Sequence, residues 1–453
     1  MTHGKRYLIL VILSLIAGMV YLTPFLRFTF YDQMLVALSI DDAQLGVIGA
    51  TYGLFNVIGY IPSGFFANKF RTKTMLLVSL AGMALCTVWY AFFPPFEHLV
   101  VIHALYGIFS VGTFWSSYLK SVRGLGTDEE AGRMFGMSEG FRGLGNFVIA
   151  FGCLGLMGAF AEGVMGFRAL LWLNVAVFVL LAVLVIIFVP KDLGETGDGE
   201  HESTGAIIKG MFKLLGNPGT WICILLIACG YTLWNTCNGY LGTYTTRILG
   251  VDANISSSLA IVRSYLIVFI AGVSGGIVMD KFKTKGQGFI FAYIFNAIAA
   301  ALVFVTSGFQ VVCVIVTIVV AYAVNILKST YWSILGDAGF TLEQTGTATA
   351  IISLIGLTPD IFTPAILGQV IDTYEKAGNV EMGFNIMLGW MVAWSLLGIV
   401  AGFLLKKRKE KLDRLALAEA TAETATTLSA DETKASAQQA AEASNTAETT
   451  PSA

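Results

Sequence analysis

The sequence predicts an all-α membrane protein: twelve transmembrane helices in two pseudo-symmetric six-helix bundles. Three observations carry that expectation. Hydrophobic residues make up 56% of the 453-residue chain and charged residues only 13%, where a soluble domain has about 25% charged residues. Apolar runs of about 20 residues, enough to cross a bilayer, follow one another along the chain. The two halves also resemble each other, as expected of an internal duplication.

The duplication is clearest in one loop. Gly64-Phe65-Phe66-Ala67-Asn68-Lys69-Phe70-Arg71-Thr72-Lys73 returns close to half a chain later as Gly276-Ile277-Val278-Met279-Asp280-Lys281-Phe282-Lys283-Thr284-Lys285. Three further matches keep nearly the same offset. Asp42-Ala43 pairs with Asp252-Ala253, Trp115-Ser116 with Trp332-Ser333, and Thr127 through Gly132 with Thr341 through Gly346. One register with a few loop insertions explains all four.

Taken in order, the spans lie near 7–31, 44–67, 74–93, 98–121, 131–160, 167–189, 219–247, 254–279, 287–307, 310–334, 344–372 and 383–405. Lys5 and Arg6 precede a first apolar run too long for a cleaved signal peptide. Short loops after odd-numbered spans carry Asp41, Asp42, Glu97, His98, Glu162, Asp252, Glu375, Lys376 and Glu381, with Lys376 the one basic exception. Loops after even-numbered spans carry Lys69, Arg71, Lys73, Arg123, Lys281, Lys283 and Lys285, and the last span ends in Lys406-Lys407-Arg408-Lys409. Basic residues mark the cytoplasmic side, so both termini are expected there, in a bacterial cytoplasmic membrane.

The domain plan follows. Residues 1–189 form the first bundle and 219–410 the second. Between them, 190–218 is a polar cytoplasmic loop. Its end places Ile207, Ile208, Met211, Phe212, Leu214 and Leu215 opposite Lys209 and Lys213, the pattern of a helix lying in the membrane interface. Residues 411–453 are rich in Ala, Glu and Thr, lack aromatics, and are expected to be disordered.

Several function classes are excluded. A net charge of −2 leaves no nucleic-acid footprint. The six cysteines all fall in apolar runs, and His3, His98, His103 and His201 have no metal spacing. No nucleophile–base set is visible. Neither an enzyme nor a bound metal or cofactor is expected, and the chain is expected to act as a monomer surrounded by lipid.

Charge inside hydrocarbon is costly, so an intramembrane ionisable residue is a functional hypothesis by default. Six stand out: Arg27 in span one, Glu139 and Arg142 in span five, Arg263 in span eight, Lys328 in span ten and Asp360 in span eleven. Spans three, six, nine and twelve have none in their interiors. At 1.5 Å per residue, Glu139 and Arg142 lie about 12–17 Å from the start of span five and Arg263 about 13 Å from the start of span eight. The four cations are expected to ring one vestibule. Pro24, Arg27 and Tyr31 share a helical stripe, as do Glu139, Arg142 and Asn146, and Asn325, Lys328 and Trp332. Span seven adds Trp234, Asn235, Asn238, Tyr240 and Tyr244, side chains suited to hydroxylated or ring-bearing ligands. A plainer reading stands beside this one: Glu139–Arg142 as an internal ion pair, Arg27 as a headgroup cap, and the rings as an interfacial belt.

Twelve spans in two similar halves, with the loop after span two repeated after span eight, resemble the major facilitator superfamily. Its signature there is Gly-x-x-x-Asp-Arg/Lys-x-Gly-Arg-Lys/Arg. Gly64, Lys69 and Lys73 match in the first copy, and Gly276, Asp280, Lys281 and Lys285 in the second. Asn68 stands where the family has Asp, and Arg71 replaces its Gly. The resemblance implies that this loop faces the start of span eleven and helps close the cytoplasmic side; Asn68 keeps hydrogen bonds there and loses the charge–dipole attraction. It also implies two six-span halves rocking about a site near the midplane. Arg27 followed by aromatics resembles the organophosphate and organic-anion permease branch, in which a span-one Arg contacts the anion. The branch's second Arg, in span seven, is absent; its place falls near Cys237, and Arg263 is the available substitute.

The expected function is ion-coupled transport of a small organic anion: a sugar acid, sugar phosphate or carboxylate. Arg27, Tyr31, Arg142, Asn146, Trp234, Asn238, Arg263, Asn325, Lys328 and Trp332 are the expected binding residues, because an excess of buried cations, Arg above all, suits carboxylate or phosphate. Glu139 is the first candidate proton carrier and Asp360 the second. A neutral-sugar or drug carrier, or a sensor that binds without translocating, are the alternatives.

Overall fold

The computed structural model describes residues 3–126, 130–160, 163–191, 193, 204–341 and 344–447. Among them every regular element is a helix. Twelve are long and apolar enough to cross a membrane: His3–Leu22, Asp42–Ser63, Thr72–Ala91, Phe96–Arg123, Arg133–Ala159, Gly163–Phe188, Pro218–Arg247, Ala253–Asp280, Lys285–Thr306, Gln310–Ile334, Thr345–Lys376 and Val380–Ala418, spans one to twelve below.

The helices pair in a repeating order. Spans one and five, two and four, and three and six pack together in the first half. Spans seven and eleven, eight and ten, and nine and twelve do so in the second. The local signals behind the repeat are only partly equivalent. Asp252 caps span eight by accepting from the amides of Asn254 and Ile255. At span two the cap is Asp41, in a reciprocal box with Gln44, which leaves its neighbour Asp42 for another task.

Five spans are interrupted, and the interruptions matter more than the helices. Span one stops at Leu22, before Pro24, which has no amide to continue the ladder. A tight turn over Leu26–Phe28 follows, then a short helix Tyr31–Leu38. The expected unbroken stripe of Pro24, Arg27 and Tyr31 is therefore absent. Span eleven breaks between Thr345–Gly356 and Pro359–Lys376, with Pro359 opening the second piece, a position that suits its missing amide. Span ten leaves the α-helix at Thr330 and turns tightly over Tyr331–Ile334, so Trp332 is off the stripe of Asn325 and Lys328. Spans four and eight contain wide π-turns at Ile108–Gly112 and Val262–Leu266.

The two halves meet at the end that carries the acidic loops. The Pro359–Lys376 piece of span eleven lies along span two, and the early part of span eight lies against span five. Gly46 and Gly53 of span two sit so close to Pro364 and Asp360 that a methyl group would overlap those backbone carbonyls. Arg247, at the end of span seven, crosses the boundary. It donates to Asp32 at 2.9 Å, to Asp42 at 3.0 and 3.1 Å, and to Glu375. Lys376 adds bonds to Asp41 at 2.8 Å and Asp372 at 2.9 Å. At the basic end, the Thr345–Gly356 and Ile267–Asp280 pieces pack chiefly within their own half. Among the described residues the halves are closed together at the acidic end and parted at the basic end.

Both copies of the repeated loop lie at that basic end. Lys285 bonds Asp280 at 2.6 Å, and its amide donates to Asp337. Lys73 donates to the carbonyls of Ile186 and Val189, both at 2.8 Å. Lys69 lies over the Phe65 ring, and Gly276 faces open space; Lys281 is exposed. The surroundings of Gly64 and the side chain of Asn68 fall outside what is described, as do the side chains of Ile207, Ile208 and most of Thr127–Gly132.

The polar segment 194–203 lies outside the described residues, and a helix over Thr204–Leu214 packs on the first piece of span eleven with Phe212 exposed. Over the tail, for which disorder was expected from residue 411, the last helix runs from Val380 to Ala447. Alanine and glutamate favour helix, and no glycine or proline interrupts the chain between Gly402 and Pro451.

Candidate substrate and coupling site

The six interior ionisable residues divide by how the backbone presents them. Arg27 sits on the tight turn that breaks span one and is 3% exposed. Asp360 is in the first turn of the second piece of span eleven, where the positive end of the helix dipole favours a carboxylate. Lys328 is in the last turn of the span-ten helix, where the same dipole favours a cation. Arg263 lies inside the π-turn of span eight. Glu139 and Arg142 are on the regular helix of span five. Helix breaks bring fixed partial charges to the middle of a membrane protein, and four of the six residues use one.

Asp360 is the centre of the buried group. It accepts from the Tyr231 hydroxyl at 2.8 Å and from Asn235 Nδ2 at 2.6 Å. Asn235 Oδ1 in turn accepts from Arg27 Nη2 at 3.4 Å. Both Arg27 and Lys328 are within electrostatic reach of the Asp360 carboxyl. Arg27 lies over the Phe28 ring at 4.7 Å, and Lys328 over the Trp234 ring at 4.3 Å. Phe25, Phe28, Tyr231 and Trp234 form one aromatic cluster between these two cations.

Glu139 and Arg142 form an ion pair on the open side of span five. The Glu139 side chain is 54% exposed and that of Arg142 29%; both are within electrostatic reach of Lys328. Glu139, the first candidate proton carrier by sequence, is thus half-exposed and paired, where the basic end has parted beside span five. Two of the six buried or half-buried charges are thus acids and four are cations, and Asp360 is the acid wholly enclosed by protein.

The remaining expected binding residues scatter. Arg263 is 2% exposed, donates to Thr317 at 3.1 Å and leaves its other terminal nitrogen without a partner. It joins Thr317 rather than the Asp360 group, so the four cations do not form one ring. Tyr31 packs on Tyr240 and beneath Arg247, as part of the closed acidic end. Asn146 lies against Gly18 of span one. Asn238 bridges Ser264 and the Trp234 carbonyl, and Asn325 donates to the Ala321 carbonyl. Trp332 meets Tyr331 edge-on. These are helix-to-helix and helix-internal contacts.

Tyr231 and Arg247 carry no weight in the sequence reading, yet both are central. Tyr231 and Asn235 are one helical turn apart on span seven, a spacing that sets both on the face toward Asp360. Arg247 sits where span seven meets its loop, so its sequence position reads as an ordinary boundary cation.

Comparisons with known proteins agree on the fold. A family model described as Major Facilitator Superfamily matches residues 7–364. Among curated proteins the chain is 24% identical to the inner membrane protein YihN of Escherichia coli, over 90% of this chain and 97% of that one. It is 22% identical to the probable galactarate/D-glucarate transporter GudP of Bacillus subtilis, over 84% and 90%. Among solved structures, a bacterial homolog of the human lysosomal transporter Spinster, inward-facing and unoccupied, superposes with a TM-score of 0.74 at 13% identity, covering 91% of this chain and 99% of that chain. The D-xylose-proton symporter superposes at 0.70 with 14% identity, covering 88% and 97%.

Proposed function

The chain belongs to the major facilitator superfamily, and from that premise we propose that this transporter moves a small organic anion together with a proton. A sugar acid, sugar phosphate or carboxylate is the proposed cargo. The observation that carries this reading is the placement of one enclosed carboxylate, Asp360, within reach of two cations from different helices, Arg27 and Lys328.

The chemistry runs as an exchange of charge. With Asp360 ionised, Arg27 and Lys328 are balanced in part by an acid of the protein itself. A proton on Asp360 removes that acid and leaves two cations facing the vestibule. An incoming anion then restores the balance, and Arg27 offers it the two parallel hydrogen bonds that a guanidinium can make. Neither proton nor anion is favourable alone, so each raises the affinity of the other; that mutual effect is reciprocal by linkage. The Glu139–Arg142 pair lines the approach from the basic end and offers donors and acceptors to hydroxyl groups.

Two further points support the reading. The name of the Bacillus subtilis relative speaks of sugar diacids, and the Escherichia coli relatives are named as inner membrane proteins. The parted end is the basic one, which by the charge rule faces the cytoplasm; on that placement this is an inward-open carrier with both termini inside.

A thermal-shift screen of the purified protein tests the cargo class. D-glucuronate, galactarate, glucose 6-phosphate and citrate are set against D-glucose and D-xylose at equal concentration. Stabilisation by one or more anions and not by the neutral sugars is expected. Equal or greater stabilisation by the neutral sugars contradicts the anion and favours a neutral-sugar carrier.

A further inference from the structure

One side chain links Arg27 to Asp360. Asn235 is fully buried; it donates to the carboxylate at 2.6 Å and accepts from the guanidinium at 3.4 Å. An amide holds its donor and its acceptor on opposite arms of one rigid plane. A guanidinium only donates and an ionised carboxylate only accepts, so the two neighbours fix which way this amide points. Arg27 belongs to the first half of the molecule, and Asn235 and Asp360 to the second. The chain of bonds therefore crosses the boundary between the bundles. It does so in a narrow slot: a methyl group at Gly49 or Gly239 would come within 3.0 or 3.1 Å of an Arg27 nitrogen.

We propose that Asn235 is a positioning residue that transmits the charge of Asp360 to Arg27, and so couples closure of the acidic end to the proton on one carboxyl. The inference rests on Asp360 being the proton site. With Asp360 ionised, the amide nitrogen is held on the carboxylate and its oxygen holds Arg27. A proton gives the carboxyl a donor of its own. The amide is then free to rotate and accept from it, which turns the amide nitrogen toward the guanidinium, donor against donor. Arg27 is released to the ligand, and the first bundle loses a tether to the second. The groups facing Asp360 are Tyr231 and Asn235 from span seven, Arg27 from span one, Lys328 and Tyr331 from span ten, and Tyr52 and Tyr60 from span two. Among the described residues, Asn235 is the side chain hydrogen-bonded to both Arg27 and Asp360.

The test needs no ligand. Spin labels at Val36 and Ile255, exposed near the acidic end in the two halves, report its opening by double electron–electron resonance in lipid nanodiscs at neutral and at acidic pH. The unsubstituted protein is expected to gain separated population on acidification. Asp360→Asn keeps only the part of that response that does not pass through Asp360. Asn235→Leu is expected to fall to the same reduced response, with the open-to-closed ratio at neutral pH raised about ten-fold by loss of one charged hydrogen bond. Asn235→Ala removes the same link without filling the slot, so it is expected to match Asn235→Leu. Substitution of Asn235 by Leu or by Ala that leaves the full acid response intact overturns the proposal, and either variant alone suffices if the other does not fold. A full response in Asp360→Asn removes the proton site itself and the inference with it. A normal response in the Asn235 variants alone leaves that site standing.

Discussion

At the residue scale, the site depends on what a guanidinium can do that an ammonium cannot. Arg27→Lys is expected to lower anion affinity about ten- to a hundred-fold, the loss of one charged hydrogen bond, because a point charge does not reproduce the bidentate fork. Isothermal titration with the anion found by screening measures this; unchanged affinity in both Arg27→Lys and Arg27→Ala would make Arg27 structural. Glu139→Gln is expected to leave pH-driven uptake into proteoliposomes near that of the unsubstituted carrier, since Glu139 is half-exposed and already paired with Arg142. Abolished uptake with intact exchange would move the proton site to Glu139. The sequence makes the six interior charges legible because each is costly in hydrocarbon. Which of them meet is not legible, because that depends on the turn at Leu26–Phe28 and the break before Pro359, which rotate Arg27 and Asp360 off any continuous helical stripe.

At the scale of elements, spans two and eleven hold the halves together through glycines. A methyl at Gly53 would overlap the carbonyl of Asp360, and one at Gly46 that of Pro364. These contacts exist only while the acidic end is closed, so Gly53→Ala should shift the equilibrium toward opening there rather than unfold the protein. A cysteine at Gln33, which lies at that end and bonds Ser257 of the other half at 3.1 Å, should then react with a membrane-impermeant maleimide about ten-fold faster or more, on the scale of the 1–3 kcal/mol that overpacking costs. Unchanged labelling with a lower melting temperature would show the glycines to be packing alone. The spans themselves were readable from length and apolarity. Their interruptions were partly readable: Pro24 and Pro359 are visible in the sequence, whereas the π-turns of spans four and eight and the tight turn after Thr330 have no such marker. The tail is the converse case: its polar composition reads as a solvated segment, while its alanines and glutamates favour the helix that runs to Ala447.

At the scale of the whole molecule, the closed end is an ion cluster centred on Arg247, shared between the halves through Asp32, Asp42 and Glu375. Removing one partner of a buried cluster costs about 3–5 kcal/mol, and solvent at the half-exposed Glu375 draws the figure toward the low end. Arg247→Met should therefore open the acidic end, read by the same maleimide. The pH dependence of this closure has a definite sign. Burial raises the Asp41 carboxyl, but the Lys376 hydrogen bond and the Gln44 amide outweigh it and hold Asp41 below the usual carboxylate range. A lowered carboxyl contributes above its ordinary range and is lost as pH falls through the lowered value. Closure by Asp41–Lys376 is thus complete at neutral pH and fails only in strong acid, well below the range where transport is assayed.

The central claim is that Asp360 exchanges its charge for that of the cargo, and proton counting tests it most directly. Protons taken up on anion binding are measured by titration calorimetry of the purified carrier in buffers of different ionisation enthalpy, near neutral pH. Net proton uptake with each anion bound is expected in the unsubstituted protein, and none in Asp360→Asn, which should still bind the anion. Equal proton uptake in both would place the coupling elsewhere and contradict the account.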